Sequence, residues 1–398
     1  MPPRPSVLEI FLVALRLGCT SFGGPVAHLA FFRKEYVEKR RWLDEAHYAD
    51  LVALCQFLPG PASSQTGFGV GFLQRGLAGG LAAWLGFTLP SAVLMIAFAY
   101  GVTALGELGE AGWLRGLKAA AVAVVAQAVW GMWRSLCPDL PRSLLAGAAA
   151  GLLLLLPSAW SQIAVIAAGA AAGAAFLPAT PRAGGDSPAP TPASSFSRTH
   201  GYACLAVFLL LLAALPIWAR TSAAPSVEIL DRCYRAGSLV FGGGHVVLPL
   251  LEREVVAPGW VTHDQFLAGY GAAQAVPGPL FTFSAYLGAV MSHGVGGWAG
   301  GLWALVAIFL PALLLVAGAL PFWQTLRLRP AAQAALRGAN ATVVGMLLAA
   351  LIHPVGTAGL TDGRSSGLAV AAFVLLQFAR LPAWAVVAAA AAGGAVLF

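Results

Sequence analysis

"FGGP" at 22–25 is followed by "QFLPGP" at 56–61, and "FGGG" at 241–244 is followed by "QAVPGP" at 274–279. Proline lacks an amide proton and clashes with the preceding turn, and glycine weakens helix interiors, so each PGP is expected to stop one helix and start another. The chain around these breakers is apolar. Of its 398 residues 59% are hydrophobic and 10% charged, with a mean hydropathy of +0.79. Apolar runs approach the roughly 20 residues that span a bilayer. In lipid every backbone amide needs a partner within its own segment, so the chain reads as an all-α polytopic membrane protein with broken, re-entrant helices at the Gly/Pro motifs.

Candidate spans are 7–29, 77–101, 113–135, 142–156, 159–177, 202–219, 227–250, 297–322, 332–352, 366–380 and 382–397. The stretches 46–74 and 265–291 are interrupted by PGP, giving about ten to thirteen segments in all. The start lacks a short basic region, apolar core and A-x-A cleavage site, so the first helix is expected to be retained. The net charge of +7 sits mainly at loop ends, which fits a positive-inside bias better than nucleic-acid binding. Cys19, Cys55, Cys137, Cys204 and Cys233 lack metal-ligand spacing and read as packing residues.

The segment 178–200, rich in Pro, Ser and Gly, has no apolar period and reads as a linker between halves 1–177 and 201–398. The halves are an internal repeat. At an offset of 219, Glu9 meets Glu228, Arg16 meets Arg235, and Phe22-Gly23-Gly24 meets Phe241-Gly242-Gly243. At 218, Trp42 meets Trp260, Gln56 meets Gln274 and Pro59-Gly60-Pro61 meets Pro277-Gly278-Pro279. At 221, "GLAGGLAAWLGFTLP" (76–90) meets "GWAGGLWALVAIFLP" (297–311).

Loop charge reverses between the copies. The stretch 33–45 carries Arg33, Lys34, Lys39, Arg40 and Arg41, whereas 251–264 has Arg253 against Glu252, Glu254 and Asp264. The stretch 102–114 holds Glu107 and Glu110, whereas 321–331 holds Arg327 and Arg329. Both reversals predict an inverted repeat about an axis in the membrane plane.

A helix starting at PGP would present unpaired amides and the positive end of its dipole, an anion site without a formal charge. Its first turn adds Ser63, Ser64 and Thr66 in one copy, Thr282 and Ser284 in the other, with Gln56 and Gln274 before the breaks. The breakers themselves are Pro25, Pro59, Pro61, Gly244, Pro277 and Pro279. Arg16 and Arg235 stand before the FGG motifs in apolar helices. Intramembrane arginine either holds an anion or pairs with an acid, and Glu9 and Glu228 lie about two turns earlier as possible partners or proton-coupling carboxylates. His28 and His245 read as packing residues because they miss a common repeat position, and Trp42 and Trp260 as interfacial anchors.

Together, "SFGGPVAHL…FRKEYV…RWLDEAHYADLVALCQFLPGPASSQTGFGVGF" resembles the N-terminal half of the chromate ion transporter family. "FGGGHVVLPLLEREVV…GWVTHDQFLAGYGAAQAVPGP" is similar to the C-terminal half of its long members. The resemblance implies secondary transport of chromate, with sulfate as an analogue, out of the bacterial cytoplasm across the inner membrane, and hence chromate resistance. It carries over Phe22, Gly23, Gly24, Pro25, Gln56, Pro59, Gly60 and Pro61, and Gly242, Gly243, Gly244, Gln274, Pro277, Gly278 and Pro279. A sulfate or other oxyanion transporter, a channel and a membrane-embedded enzyme are the alternatives. The chain has no GxSxG, no HExxH and no GxxxxGK[ST], so no enzymatic centre, metal, cofactor or nucleotide is expected. The expected partners are a small inorganic anion, membrane lipid and a second copy in a homodimer, with no nucleic acid.

Overall fold

The computed structural model describes residues 4–104, 111–156, 159–177, 197–222, 224–241, 244–326 and 329–398. Glu107, Glu110, Arg327, Gly242, Gly243 and most of the linker lie outside them. The described residues are helical with no strand. The first half comprises α1 (Val7–Thr20), α2 (Gly24–Phe32), α3 (Glu45–Phe57), α4 (Ala62–Ala104), α5 (Gly112–Leu136), α6 (Leu140–Leu155) and α7 (Ala159–Phe176). An unduplicated α8 (Arg198–Thr221) follows, and its first turn takes up residues 198–200. The second half comprises α9 (Pro225–Ser238), α10 (Val247–Val255), α11 (His263–Ala275), α12 (Phe283–Val290), α13 (Gly297–Ala319) and short α14 (Trp323–Leu326). It continues with α15 (Pro330–Ala350), short α16 (Thr357–Gly359), α17 (Gly363–Gln377) and α18 (Ala383–Leu397). Five helical stretches are long and apolar enough to cross a membrane, and shorter apolar helices accompany them.

Both motifs break the helices as the sequence predicts, but the segments 7–29 and 227–250 do not cross. Glycines at positive φ (Gly23 at 100°, Gly24 at 79°) turn the chain back after α1. Arg40, beyond α2, then reaches Glu9 at the start of α1 at 2.8 Å. That shared level is called end A. The PGP break makes a second re-entrant hairpin from the same end. Gln74 donates to the Trp42 carbonyl at 2.7 Å and Arg75 to that of Pro5 at 2.7 Å. At Arg75 and Gly76 the helical dihedrals lapse, and the remainder of α4 folds back along its first arm. This requires glycine: a Cβ on Gly80 would lie 2.7 Å from the Phe68 ring.

The second half repeats the plan from the opposite end, called end B. Ser292, after α12, donates to the Trp260 carbonyl at 3.0 Å. The ring of His293 stacks on Trp260 at 4.2 Å and lies 3.3 Å from Glu228 near the start of α9. Trp260 is therefore buried against His293 and Arg232 rather than placed as an exposed anchor. The Tyr100 hydroxyl, late in α4, accepts from the Trp298 amide, which opens α13. Trp323, after α13, donates to Asp50 in α3 at 3.0 Å. Hence α4 ends where α13 begins and α13 ends where α3 begins, which is an inverted repeat. α8 supplies the odd crossing that inversion requires. Gly201 in its first turns packs by the Gly318 carbonyl near end A, and Arg220 at its far end shares a groove with Glu228 and Arg232.

The halves exchange helices. α5 packs on α17 and α18, while α15 packs on α6 and α7. Small residues let the backbones meet. A Cβ on Gly394 would lie 2.7 Å from the Gly116 Cα, and one on Gly173 would lie 2.8 Å from the Gly338 Cα. These two glycine pairs occupy repeat-equivalent positions and set α5 against α15 at an offset of 222.

Candidate functional site

The four breaks meet where the halves interlock. The Gly60 amide donates to the Val240 carbonyl at 2.7 Å, and the Gly278 amide donates to the Ser21 carbonyl at 3.0 Å. Ser21 and Val240 are themselves repeat partners, so each PGP glycine is pinned to the end of the other half's first helix. Gly60 has φ +125° and Gly278 φ +99°, a region that L side chains rarely adopt. The sequence left these two amides free for an anion; both are engaged.

Beside this knot lies a cavity of about 210 Å³. That is below the roughly 300–1,000 Å³ of sites for drug-sized ligands and suits a small ion with a few waters. Gly23, Gly24, Pro25 and His28 line it from the first break, and Gln274, Val276, Gly278 and Leu280 from the second PGP. His245, Gln127 of α5, and Leu381, Pro382 and Ala383 complete the wall. None of the described lining side chains is a carboxylate, lysine or arginine. Two helices of ample length, α2 and α18, begin at the wall, so their dipoles present positive ends to it. Gln274 Nε2 is buried there without a hydrogen-bond partner, and the buried ring of His28 has its Nδ1 3.3 Å from Ser63 Oγ and interacts with the Ser21 backbone. A second cavity of about 370 Å³ shares Gln127 and His245 and reaches Arg134 and Gln377, leading toward end A.

The other sequence candidates lie elsewhere. Arg16 is exposed in an outer groove with Glu9 and Arg40. Arg235 is bound to Asp231 at 3.0 Å and Glu254 at 3.1 Å, so its charge is already met. Gln56 is exposed. The Thr66, Thr282 and Ser284 hydroxyls donate to the carbonyls of Ala62, Pro279 and Phe281. Ser64 is buried with an unpartnered hydroxyl, outside the lining set. Pro59, Pro61, Pro277, Pro279 and Gly244 shape the breaks; Gly244 opens a short 3-10 turn, and a Cβ there would stand 3.9 Å from Pro25. His28 and His245, read from the sequence as packing residues, both reach the cavity, and their nearness to FGG was the available signal. Gln127 carried only the signal of a lone amide in an Ala/Val-rich helix.

The architecture and the repeated motifs agree with the comparisons. The chromate transporter family model matches residues 8–174 and again 227–395. The chain belongs to the chromate transporter family. A Pseudomonas aeruginosa chromate transport protein is 30% identical over all of this chain and 94% of its own length. A Cupriavidus metallidurans chromate transport protein is 25% identical with the same coverage. A Bacillus subtilis transporter, YwrA, is 30% identical over 43% of this chain but 97% of itself. No solved structure matches. As a member of this transporter family with several membrane-length apolar helices, the chain is a multi-pass membrane protein.

Proposed function

We propose that the protein carries chromate, with sulfate as a close analogue, out of the bacterial cytoplasm through the cavity between the four breaks, and so confers chromate resistance. The two halves, 1–177 and 201–398 with linker 178–200, act as one transport unit in the inner membrane. The observation that carries this reading is the unpartnered side-chain nitrogen of Gln274, which together with His28 of the other half lines a small cavity at the junction of the breaks. A dianion there meets donors and helix N-termini instead of a countercharge. One helix terminus contributes only about 0.3–2 kcal/mol, while dehydrating an ion costs several, so donors from both halves must converge. The names of the Pseudomonas and Cupriavidus relatives supply the substrate. Arg33, Lys34, Arg41, Arg75 and Arg142 gather at end A, which by the positive-inside rule faces the cytoplasm, and the cavity continues toward that end, an arrangement that supports loading from the cytoplasm.

Purified protein in liposomes tests the reading. Labelled chromate should cross unchanged, unlabelled chromate and sulfate should compete, and phosphate-free controls lacking protein should not leak. Absence of chromate and sulfate flux under every imposed gradient defeats it.

A further inference from the structure

The break cavity has a relative toward end B that no oxyanion reading uses. It is about 500 Å³ and is lined by Met346 and Ala349 of α15, the repeat partners of Val124 and Gln127, together with Gln162, Glu252, Arg253, His263 and His353. Glu252 is buried, with 7% of its surface exposed, and the His263 Nδ1 stands 3.3 Å from its Oε1. The ring of His263 also interacts with the backbone of Pro354, which lines the same cavity.

The repeat shows what is special about this pair. Glu252 corresponds to Arg33 at an offset of 219, and His263 corresponds to Glu45 at 218. In the first half those positions form an ion pair at 2.7 Å. Arginine stays protonated in proteins, so that contact is permanent. The second half keeps the contact with a carboxylate and an imidazole in place of the arginine and the glutamate, so that both members can take up or release a proton.

The pair is also wired to the break cavity. α10 carries Glu252 seven residues after His245, and α11 carries His263 seven residues before Tyr270. The His245 Nδ1 lies 2.8 Å from the Tyr270 hydroxyl. Two helices are thus cross-braced at both ends: one brace touches the oxyanion cavity, and the other, about 10 Å away by helical rise, faces end B.

We propose that Glu252 and His263 together hold one exchangeable proton taken from end B, and that its binding is coupled through α10 and α11 to occupancy of the break cavity. This rests on the transport reading above. With Glu252 ionised and His263 neutral the pair carries one negative charge. A proton from water at end B forms one N–H or O–H bond and neutralises it, and release breaks that same bond with no electron transferred. Of the neighbouring charges, Arg253 and His353 line the same cavity, Asp264 is held by Lys118 of α5 at 2.6 Å, and Glu254 is held by Arg235. Among the described residues α6 lines the cavity with Leu153 and Leu154 and α7 with Gln162.

The full-length protein in liposomes gives two readouts: accumulation of labelled chromate or sulfate driven by a pH gradient, and one-for-one exchange of labelled for unlabelled anion without a gradient. Glu252→Gln and His263→Gln should each lose gradient-driven accumulation by about tenfold or more while keeping exchange within about twofold of the parent. Glu252→Asp should retain both. Glu252→Arg combined with His263→Glu, which installs the first half's permanent pair, should exchange but not accumulate. Parent-like accumulation in both glutamine variants overturns the proposal, as does equal loss of exchange and accumulation, which marks a structural contact. Parent flux indifferent to the pH gradient also overturns it and leaves transport standing. A parent with no flux of either anion defeats the transport reading itself.

Discussion

At the scale of single residues, the cavity depends on neutral polar groups rather than on charged side chains. Gln274→Leu keeps the volume and removes the nitrogen, so chromate flux should fall about 10- to 100-fold, the range expected for one hydrogen bond to a charged group. Gln56→Leu, its exposed repeat partner, should transport like the parent. Measured flux per folded molecule separates the two, and equal effects would show that the repeat position matters rather than the cavity. Gln274 was legible because it adjoins PGP. Its partner in the cavity, His28, was not, because a histidine in an apolar segment is most often a packing residue. The arginines misled for the opposite reason. Arg235 pairs with Asp231 one turn away and with Glu254 on the next helix. The first contact could be read from spacing and the second could not.

At the scale of elements, the breaks were legible and their bonding was not. Proline and glycine announce that a helix stops, but the carbonyl that takes the Gly60 amide belongs to Val240, 180 positions away in sequence. No local pattern reports such a contact. It reverses the expected weight of the PGP residues. Gly60 sits at φ +125°, and a Cβ there would lie 2.8 Å from that of Ala312, so Gly60→Ala should destabilise by about 1–3 kcal/mol. Gly278→Ala meets Ser91 Oγ at the same 2.8 Å and should behave alike. Pro59→Ala alters neither that dihedral nor the bond to Val240, and should be the mildest of the three. Thermal unfolding in detergent should rank them so. If Pro59→Ala proves the most damaging, proline rather than the cross-half bond maintains the break.

For the molecule as a whole, the inverted repeat was legible from paired reversals of loop charge, whereas the interlocking of its halves was not. Charge reports which end a loop occupies and says nothing about which helices pack in between. The exchange has a physical consequence. α6 and α7 find their main partner in α15, and α17 and α18 find theirs in α5, so each half alone exposes Gly173 or Gly116 and the faces built around them. Those close backbone contacts form only when both halves are present. Cutting the chain at Gly185, within the linker, leaves in place the described contacts that join the halves. Fragments 1–185 and 186–398 expressed together should therefore associate, co-purify and restore chromate flux, while either alone should be unstable in the membrane. Gly338→Leu in the second fragment should weaken their association, because a Cβ on Gly338 would lie 2.7 Å from the Gly173 Cα and leucine has no room there. Recovery of two independently stable fragments, or association unaffected by Gly338→Leu, would mean that the exchanged helices do not join the halves.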